Sequence, residues 1–421
     1  MVQIPIPEQQ PSIYDFGFDK SLNRILPNSS SGVVYNPIEN SLNAAQILSG
    51  GNLTLKTLNI GGLVRQVAPG DDIQAAVDAV SREGGGTIQL IAEEYPLLAP
   101  INIKPRVNLV GVRPDVTVLN FLGSAGNVTV FGEQAYTTGT ITGIASNVIV
   151  TGSGTAWLAN VKAGMHLFLG TRWYEIASVL SDTSLILAEG YGDNVSFAST
   201  YRIAFPNLNT TMRDFSIKNS SVTGLEVKDT RKITIDNIFC QDNNIGASFT
   251  NVSEANVEKF LAVSNTSHGF SLNNFGFFDW ESVNSISSGG AGYLVNNAKS
   301  GSFFACTSNA NTADGFNLTT VDDIAFSVGA ESNGGEGIEF VSASANCAIA
   351  DSTFRNNTSD GIKLTASTDH VRIYSTNLRA NGGYGINIAA SSCDDNILFE
   401  NRYSGNTSGA ISDSGSGTQI L

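Results

Sequence analysis

The chain has 421 residues, a formal net charge of −15 and only 14% charged residues. With 43 glycines and 41 asparagines it does not suit a helical protein, since both are poor helix formers, and a hydrophobic content of 41% excludes disorder. Lys and Arg form no run, which argues against a partner held by its phosphates, and no apolar stretch reaches the roughly 20 residues that cross a bilayer.

Residues 1–70 carry Pro, Asn and Ser with little periodicity. They read as an extended N-terminal arm, a segment for attachment to a partner, with one strand expected over Leu53–Ile60. Met1–Gln10 has neither the basic segment nor the apolar core of a secretory signal. Residues 71–127 begin with a helix capped by Asp71 or Asp72, with Ile73, Ala76, Val77 and Val80 on its apolar face and Gly84 as its stop. A strand opens at Gly84-Gly85-Gly86-Thr87-Ile88-Gln89-Leu90, and Ile101-Asn102-Ile103 and Val107-Asn108-Leu109-Val110 continue the alternation. Over 128–206 the pattern changes to short strands with close turn signals, such as Trp173-Tyr174-Glu175-Ile176 and Thr183-Ser184-Leu185-Ile186-Leu187. That stretch predicts a small antiparallel β module inserted between early repeats, and the first pattern resumes at Met212–Ile217.

Residues 207–421 are organised by a repeat: Gly, apolar, any, apolar. It begins at Gly224-Leu225-Glu226-Val227 and returns at Gly246, Gly269, Gly292, Gly315, Gly337, Gly361, Gly385 and, in degenerate form, Gly409. The steps are 22 to 24 residues, shorter than the 33–34 residues of ankyrin and TPR units. The frame of leucine-rich repeats is missing. One residue separates the two apolar positions, as on a strand, and a second alternation follows nine to twelve residues later, as at Ile324/Phe326/Val328. Asn, Ser, Asp and Gly between them suit turns. The pattern predicts one coil of a parallel β-helix per repeat, roughly a dozen coils in all, stacked at about 4.8 Å. Asn243/Asn244, Asn265, Asn309, Asn356/Asn357 and Asn381 are placed to form amide ladders up the stack. Cys240, Cys306, Cys347 and Cys393 lack metal-ligand spacing and read as buried thiols.

The string from Asp71-Asp72-Ile73 through Gly84-Gly85-Gly86-Thr87 to Val107-Asn108-Leu109-Val110-Gly111 resembles the capping helix and first coils of the pectate-lyase-like right-handed parallel β-helix superfamily. Ala92-Glu93-Glu94-Tyr95 departs from the usual turn there. The phrases Thr151-Gly152-Ser153-Gly154-Thr155-Ala156-Trp157 and Tyr174-Glu175-Ile176-Ala177-Ser178-Val179 resemble a small all-β module of phage virion proteins. These resemblances imply a phage virion surface protein — a tail spike, fibre or head decoration — that attaches to host surface polysaccharide. The expected location is the virion surface, outside the cell. The expected partners are other virion proteins through residues 1–70 and two further copies in a homotrimer, with no nucleic acid and no membrane. A polysaccharide lyase or glycoside hydrolase on the same fold is the alternative, and a bacterial adhesin a further one.

Three sets of residues could carry chemistry. Asp279 and Glu281 share one strand face at about 6.6–7 Å along the backbone, a spacing that overlaps an inverting glycosidase pair. Phe277 and Trp280 beside them could stack on sugar rings, or Trp280 could point into the coil. Asp314, Glu336 and Asp360 each precede a repeat glycine and would stack, so they could hold Ca²⁺, form a glycosidase carboxylate set or serve as ordinary turn residues. The outward column between the inward apolar positions includes Asn317, Glu339, Lys363 and Asn387, a polar ladder suited to an extended glycan. No cofactor is required by this reading. Ser267-His268-Gly269 is similar to the His-Gly of polygalacturonases, but no Asn-x-Asp precedes it and no Arg-x-Lys follows, so His268 reads as a turn residue. With no family constellation complete, glycan binding is expected ahead of catalysis.

Overall fold

The computed structural model describes residues 16–19, 24–27, 35–36, 41–42, 63–143, 147–190, 197–199 and 201–421. Within residues 1–62, four short strands, Phe16–Asp19, Arg24–Pro27, Tyr35–Asn36 and Ser41–Leu42, pair antiparallel in chain order. The strand expected over Leu53–Ile60 lies outside the described residues.

From Leu63 the chain winds into a parallel β-solenoid. Leu63–Val67 pairs parallel with Gly86–Leu90, so the end of the expected arm belongs to the first coil. One inward column can be followed by register through the whole stack. It starts Arg65, Ile88, Leu109, Met212 and Ile235, continues Val257, Trp280, Phe303 and Phe326, and ends Ile349, Ile373, Leu398 and Ile420. Every member between Arg65 and Ile420 is buried, and those two end residues are exposed. The lower end is closed by the helix Ile73–Arg82. The Asp72 carboxylate caps it by accepting from Ala75 N at 2.9 Å, and Ile73, Ala76, Val77 and Val80 are its buried residues. Such a cap covers an open coil edge that would otherwise pair with another chain.

The repeat glycines of the regular coils are explained by crowding, not by backbone dihedral, whereas the degenerate Gly409 has room for a Cβ and a φ of +129°. A Cβ at Gly361 would lie 2.7 Å from Gly385 O and 2.9 Å from Asn381 Nδ2, and Gly246, Gly269, Gly292, Gly315 and Gly337 face the next coil in the same way. The neighbouring amides form a buried ladder. Asn311, Asn333 and Asn357 each donate through Nδ2 to the Oδ1 of the next asparagine at 3.0 Å, and Asn381 donates to Asn406 at 2.9 Å. Asn243, Asn265, Asn357 and Asn381 stand in this column, but Asn311 occupies the rung expected for Asn309, and Ser288 replaces the amide at one rung. A second ladder marks another corner, where Asn251, Asn274 and Asn297 have φ of 54, 53 and 53°. Their side chains join at 2.9 and 2.7 Å.

The middle coils are filled by aromatic rings. Tyr293 stacks on Phe316 with centroids 4.3 Å apart, and Phe303 on Phe326 at 5.4 Å. All four cysteines are buried and free.

The antiparallel module interrupts the stack after Val128–Phe131, itself a solenoid strand. Its eight strands run from Glu133–Tyr136 to Arg202–Phe205. The module has its own core around Trp157, whose Nε1 donates to Tyr201 Oη at 3.0 Å. It docks on the solenoid's flank. Trp173 Nε1 donates to Asn251 O at 2.9 Å, and Arg172 lies over the Phe277 ring at 5.2 Å. Thr171 occupies the space where a Cβ at Gly276 would stand.

Candidate functional site

The side chains proposed separately as a glycan ladder and as a cation set converge on one face. Asn317, Glu339, Lys363 and Asn387 form one outward column by register. Asp314, Glu336 and Asp360, at the turns that lead into those strands, lean onto it. Asn317 Nδ2 donates to Asp314 Oδ2 at 2.7 Å, and Asn387 Nδ2 to Asp360 Oδ2 at 2.8 Å. Lys363 Nζ lies 3.0 Å from Glu336 Oε1 and 2.8 Å from Glu339 Oε1, and Ser359 Oγ donates to Glu336 Oε1 at 3.1 Å. Asp314, Asn317, Glu336, Glu339 and Lys363, from three coils, thus make one half-buried polar network, and Asp360 with Asn387 forms a separate pair on the same column.

The turn carboxylates also do structural work. Asp314 Oδ1 accepts the backbone N–H of Glu336 at 3.0 Å, and Asp360 Oδ1 accepts that of Tyr384 at 2.6 Å. Both oxygens of Asp360 are therefore engaged. Among the described residues, the carboxylates close enough to share one cation are Asp314, Glu336 and Glu339, with one oxygen of each within 4.8 Å of the others; Glu339 takes the place expected for Asp360. Lys363 already brings an ammonium to two of the three, offsetting the like-charge repulsion.

Burial raises the Asp314 carboxyl to about 6, opposed by the Asn317 hydrogen bond and reinforced by the hydrogen bond to Glu336. Glu336 is lowered although burial acts the other way, because Asp314 and Lys363 donate to it. Two adjacent carboxyls with affinities pushed apart form an acid and a base in chemical terms.

The other candidates fare differently. Asp279 and Glu281 do share an outward face and are exposed; Asp279 accepts from Ser302 Oγ at 2.8 Å. Trp280 between them is fully buried against Phe249, Phe270 and Phe303, so of its two readings the interior one holds and it offers no stacking platform. Phe277 is 43% exposed, but its ring is shared with Arg172 of the inserted module. His268 is a turn residue whose Nδ1 accepts Ala291 N at 3.1 Å. Sequence reasoning missed Arg202 and Asp229. They form a salt bridge where module and solenoid meet, between residues 27 positions apart that no repeat connects. No helix among the described residues is long and apolar enough to cross a membrane.

Residues 281–421 match the family model described as right handed beta helix region. No curated protein matches the chain. Among solved structures the fold is similar to the A-module of the Azotobacter vinelandii mannuronan C-5 epimerase AlgE4, at 17% identity and a TM-score of 0.55, over 83% of this chain and 94% of that one. The AlgE6 A-module from the same organism gives 16% and 0.54 over the same shares. The tailspike protein gp49 of Pseudomonas phage LKA1 is similar at 12% identity and 0.44, over 83% and 74%. Register, capping helix, the family match over residues 281–421 and the likeness to the epimerase modules together make the fold a right-handed parallel β-helix.

Proposed function

We propose that the solenoid binds an extended surface polysaccharide along its outward polar column, as a surface component of a phage particle. The observation that carries the proposal is the alignment on one outward column of the network of Asp314, Asn317, Glu336, Glu339 and Lys363 and the pair Asp360–Asn387. Its donors and acceptors recur at the rung spacing, which suits a ligand that is itself a repeat, and hydrogen bonds give such binding its orientation. The epimerase modules that share the fold act, by name, on mannuronan, in keeping with a polysaccharide ligand. With a net charge of −15 the chain favours a neutral glycan over a polyanion. Placement on a particle, with residues 1–70 joined to other virion proteins, is supported by the inserted module and its likeness to virion modules. Assembly as a homotrimer belongs to the same proposal, since closed cyclic symmetry is usual for oligomers. No cofactor is invoked, as Lys363 supplies the positive charge that Ca²⁺ would otherwise bring. Retention of the chain on columns of host capsular and O-antigen polysaccharide, weakened in Lys363→Ala and Asn317→Ala, tests the proposal; equal passage through host and unrelated columns would contradict it.

One observation favours a catalytic reading. Asp314, raised to about 6, adjoins the lowered Glu336, an arrangement suited to acid/base cleavage of a glycan. If the chain is a depolymerase, this pair takes precedence over the exposed Asp279 and Glu281.

A further inference from the structure

A second site stands at the root of the inserted module. The chain leaves the solenoid through Gly132 and returns through Phe205–Pro206. A Cβ on Gly132 would lie 2.7 Å from both Phe205 O and Asp229 O, so the two links pass in contact. Beside the crossing is a cavity of about 280 Å³, lined among others by Asn102, Thr129, Phe131, Arg202, Glu226 and Lys228. Two outward columns make its floor: Asn102, Thr129 and Glu226 in one, Phe131 and Lys228 in the other. Arg202, from the last strand of the module, makes the wall. Its Nη2 is committed to the buried carboxylate of Asp229, which also accepts from Asn251 Nδ2 at 2.9 Å. Lys228 makes no ion pair among the described residues.

We infer that this cavity holds one neutral pyranose unit, the end or a side branch of the bound glycan; the inference rests on the glycan-binding reading. Three features select that ligand. The cavity is at the lower limit of small-molecule pockets, about 300–1,000 Å³, which suits one ring. The lining charges cancel, Arg202 and Lys228 against Glu226 and Asp229, so no net charge is asked of the ligand. Lys228 brings a donor to the lining and Glu226 an acceptor, and a sugar hydroxyl uses both. Phe131 adds apolar surface for the ring's C–H face. The floor column Asn102–Thr129–Glu226 continues by register through Ser248, Ser271, Leu294 and Asn317 to Glu339 and Lys363. The cavity therefore lies on the same track as the network, seven rungs or about 34 Å below Lys363 at the strand spacing.

The test is saturation-transfer NMR on the full chain with the methyl glycosides of glucose, galactose and mannose, and with glucuronate, repeated on Phe131→Ala and Lys228→Ala. Both substitutions are at outward positions, and circular dichroism checks that each variant is folded. The expected result is transfer to at least one neutral glycoside, affinity reduced tenfold or more in either variant, and weaker transfer to glucuronate. No transfer to any neutral glycoside, preference for glucuronate, or unchanged affinity in both variants overturns the inference. Polysaccharide retention separates the two proposals. Retention lost in Lys363→Ala and intact in Phe131→Ala and Lys228→Ala removes the pocket and leaves the ladder. Glycoside binding at the pocket without any polysaccharide retention removes the ladder.

Discussion

His268 Nδ1 accepts the backbone N–H of Ala291, one coil on, at 3.1 Å. Asp314 and Asp360 fill the same slot with a carboxylate oxygen, toward Glu336 N and Tyr384 N. At His268, Asp314 and Asp360 the residue before the repeat glycine is thus an inter-coil clip. We predict that His268→Ala, which leaves the Ala291 N–H without its partner, costs about 1–3 kcal/mol in urea unfolding, and that His268→Asn recovers part of it.

The clip makes stability depend on pH. Burial holds both His268 and His166 below the usual imidazole value of 6.5. Their contribution is complete above the unfolded value and is lost as pH falls through the lower folded values, because the unfolded chain then binds more protons. Asp314 acts in the opposite sense. Its raised carboxyl stabilises the fold below the unfolded value of 3.8, and that contribution is lost as pH rises through about 6. Urea midpoints measured from pH 4 to 8 should show Asp314→Asn without the decline between about 4 and 6, and His268→Ala with a shallower loss on the acid side of 6.5. Parallel curves for the parent chain and both variants would contradict the assignment.

The buried amide ladder should be costly to break. Asn333→Ala removes the donor to Ser308 O and Asn357 Oδ1 and the acceptor for Asn311. A loss of about 2–4 kcal/mol is expected. Gly361→Ala, with Gly385 O and Asn381 Nδ2 inside contact distance of the new methyl, should cost about 1–3 kcal/mol through overpacking. Asn309→Ala, outside the ladder, serves as the comparison and should cost less than either.

Lys363 holds Glu336 and Glu339 together with its ammonium. Its removal leaves Asp314, Glu336 and Glu339 within 4.8 Å of one another with no internal cation. Lys363→Ala should be stabilised by millimolar Ca²⁺, seen as a rise in melting temperature, whereas the parent chain should respond little. A large Ca²⁺ response of the parent would mean that the carboxylates bind the ion despite the lysine.

Much of the solenoid is legible in the sequence because its causes are local and periodic. The Gly-apolar-x-apolar pattern places the inward column, and Ile73, Ala76, Val77 and Val80 mark the buried face of the capping helix. What the pattern hides is set by register between coils. Asn309 and Asn311 are equivalent as composition, yet the stack puts the second on the ladder and sends the first to Thr307. Trp280 sits among apparent surface residues, and alternation alone allowed both of its faces until pairing with Val257 and Phe303 fixed it inward. The ladder and the carboxylates were each visible as columns. Their union was not, since contacts such as Lys363 to Glu336 span 27 residues and need the position of the turn relative to the strand. The docking of the module through Thr171, Arg172 and Trp173 left no periodic signal.

Light scattering at micromolar concentration should give about three times the 44.3 kDa of one chain if the trimer forms without a particle partner. The aromatic run over residues 275–280 offers little surface for such a contact: Phe275, Phe278 and Trp280 are buried, and Phe277 packs with Arg172. A 44.3 kDa species would remove the trimer from the proposal.

The central claim is that the outward column binds glycan without cleaving it. The direct measurement is incubation with host capsular and O-antigen polysaccharides, followed through retention on the same glycan, a reducing-end assay and absorbance of unsaturated products. The account predicts retention that weakens in Lys363→Ala and Asn317→Ala, with no new reducing ends and no unsaturated product. Cleavage that disappears in Asp314→Asn or Glu336→Gln would contradict it and make the same network an active site.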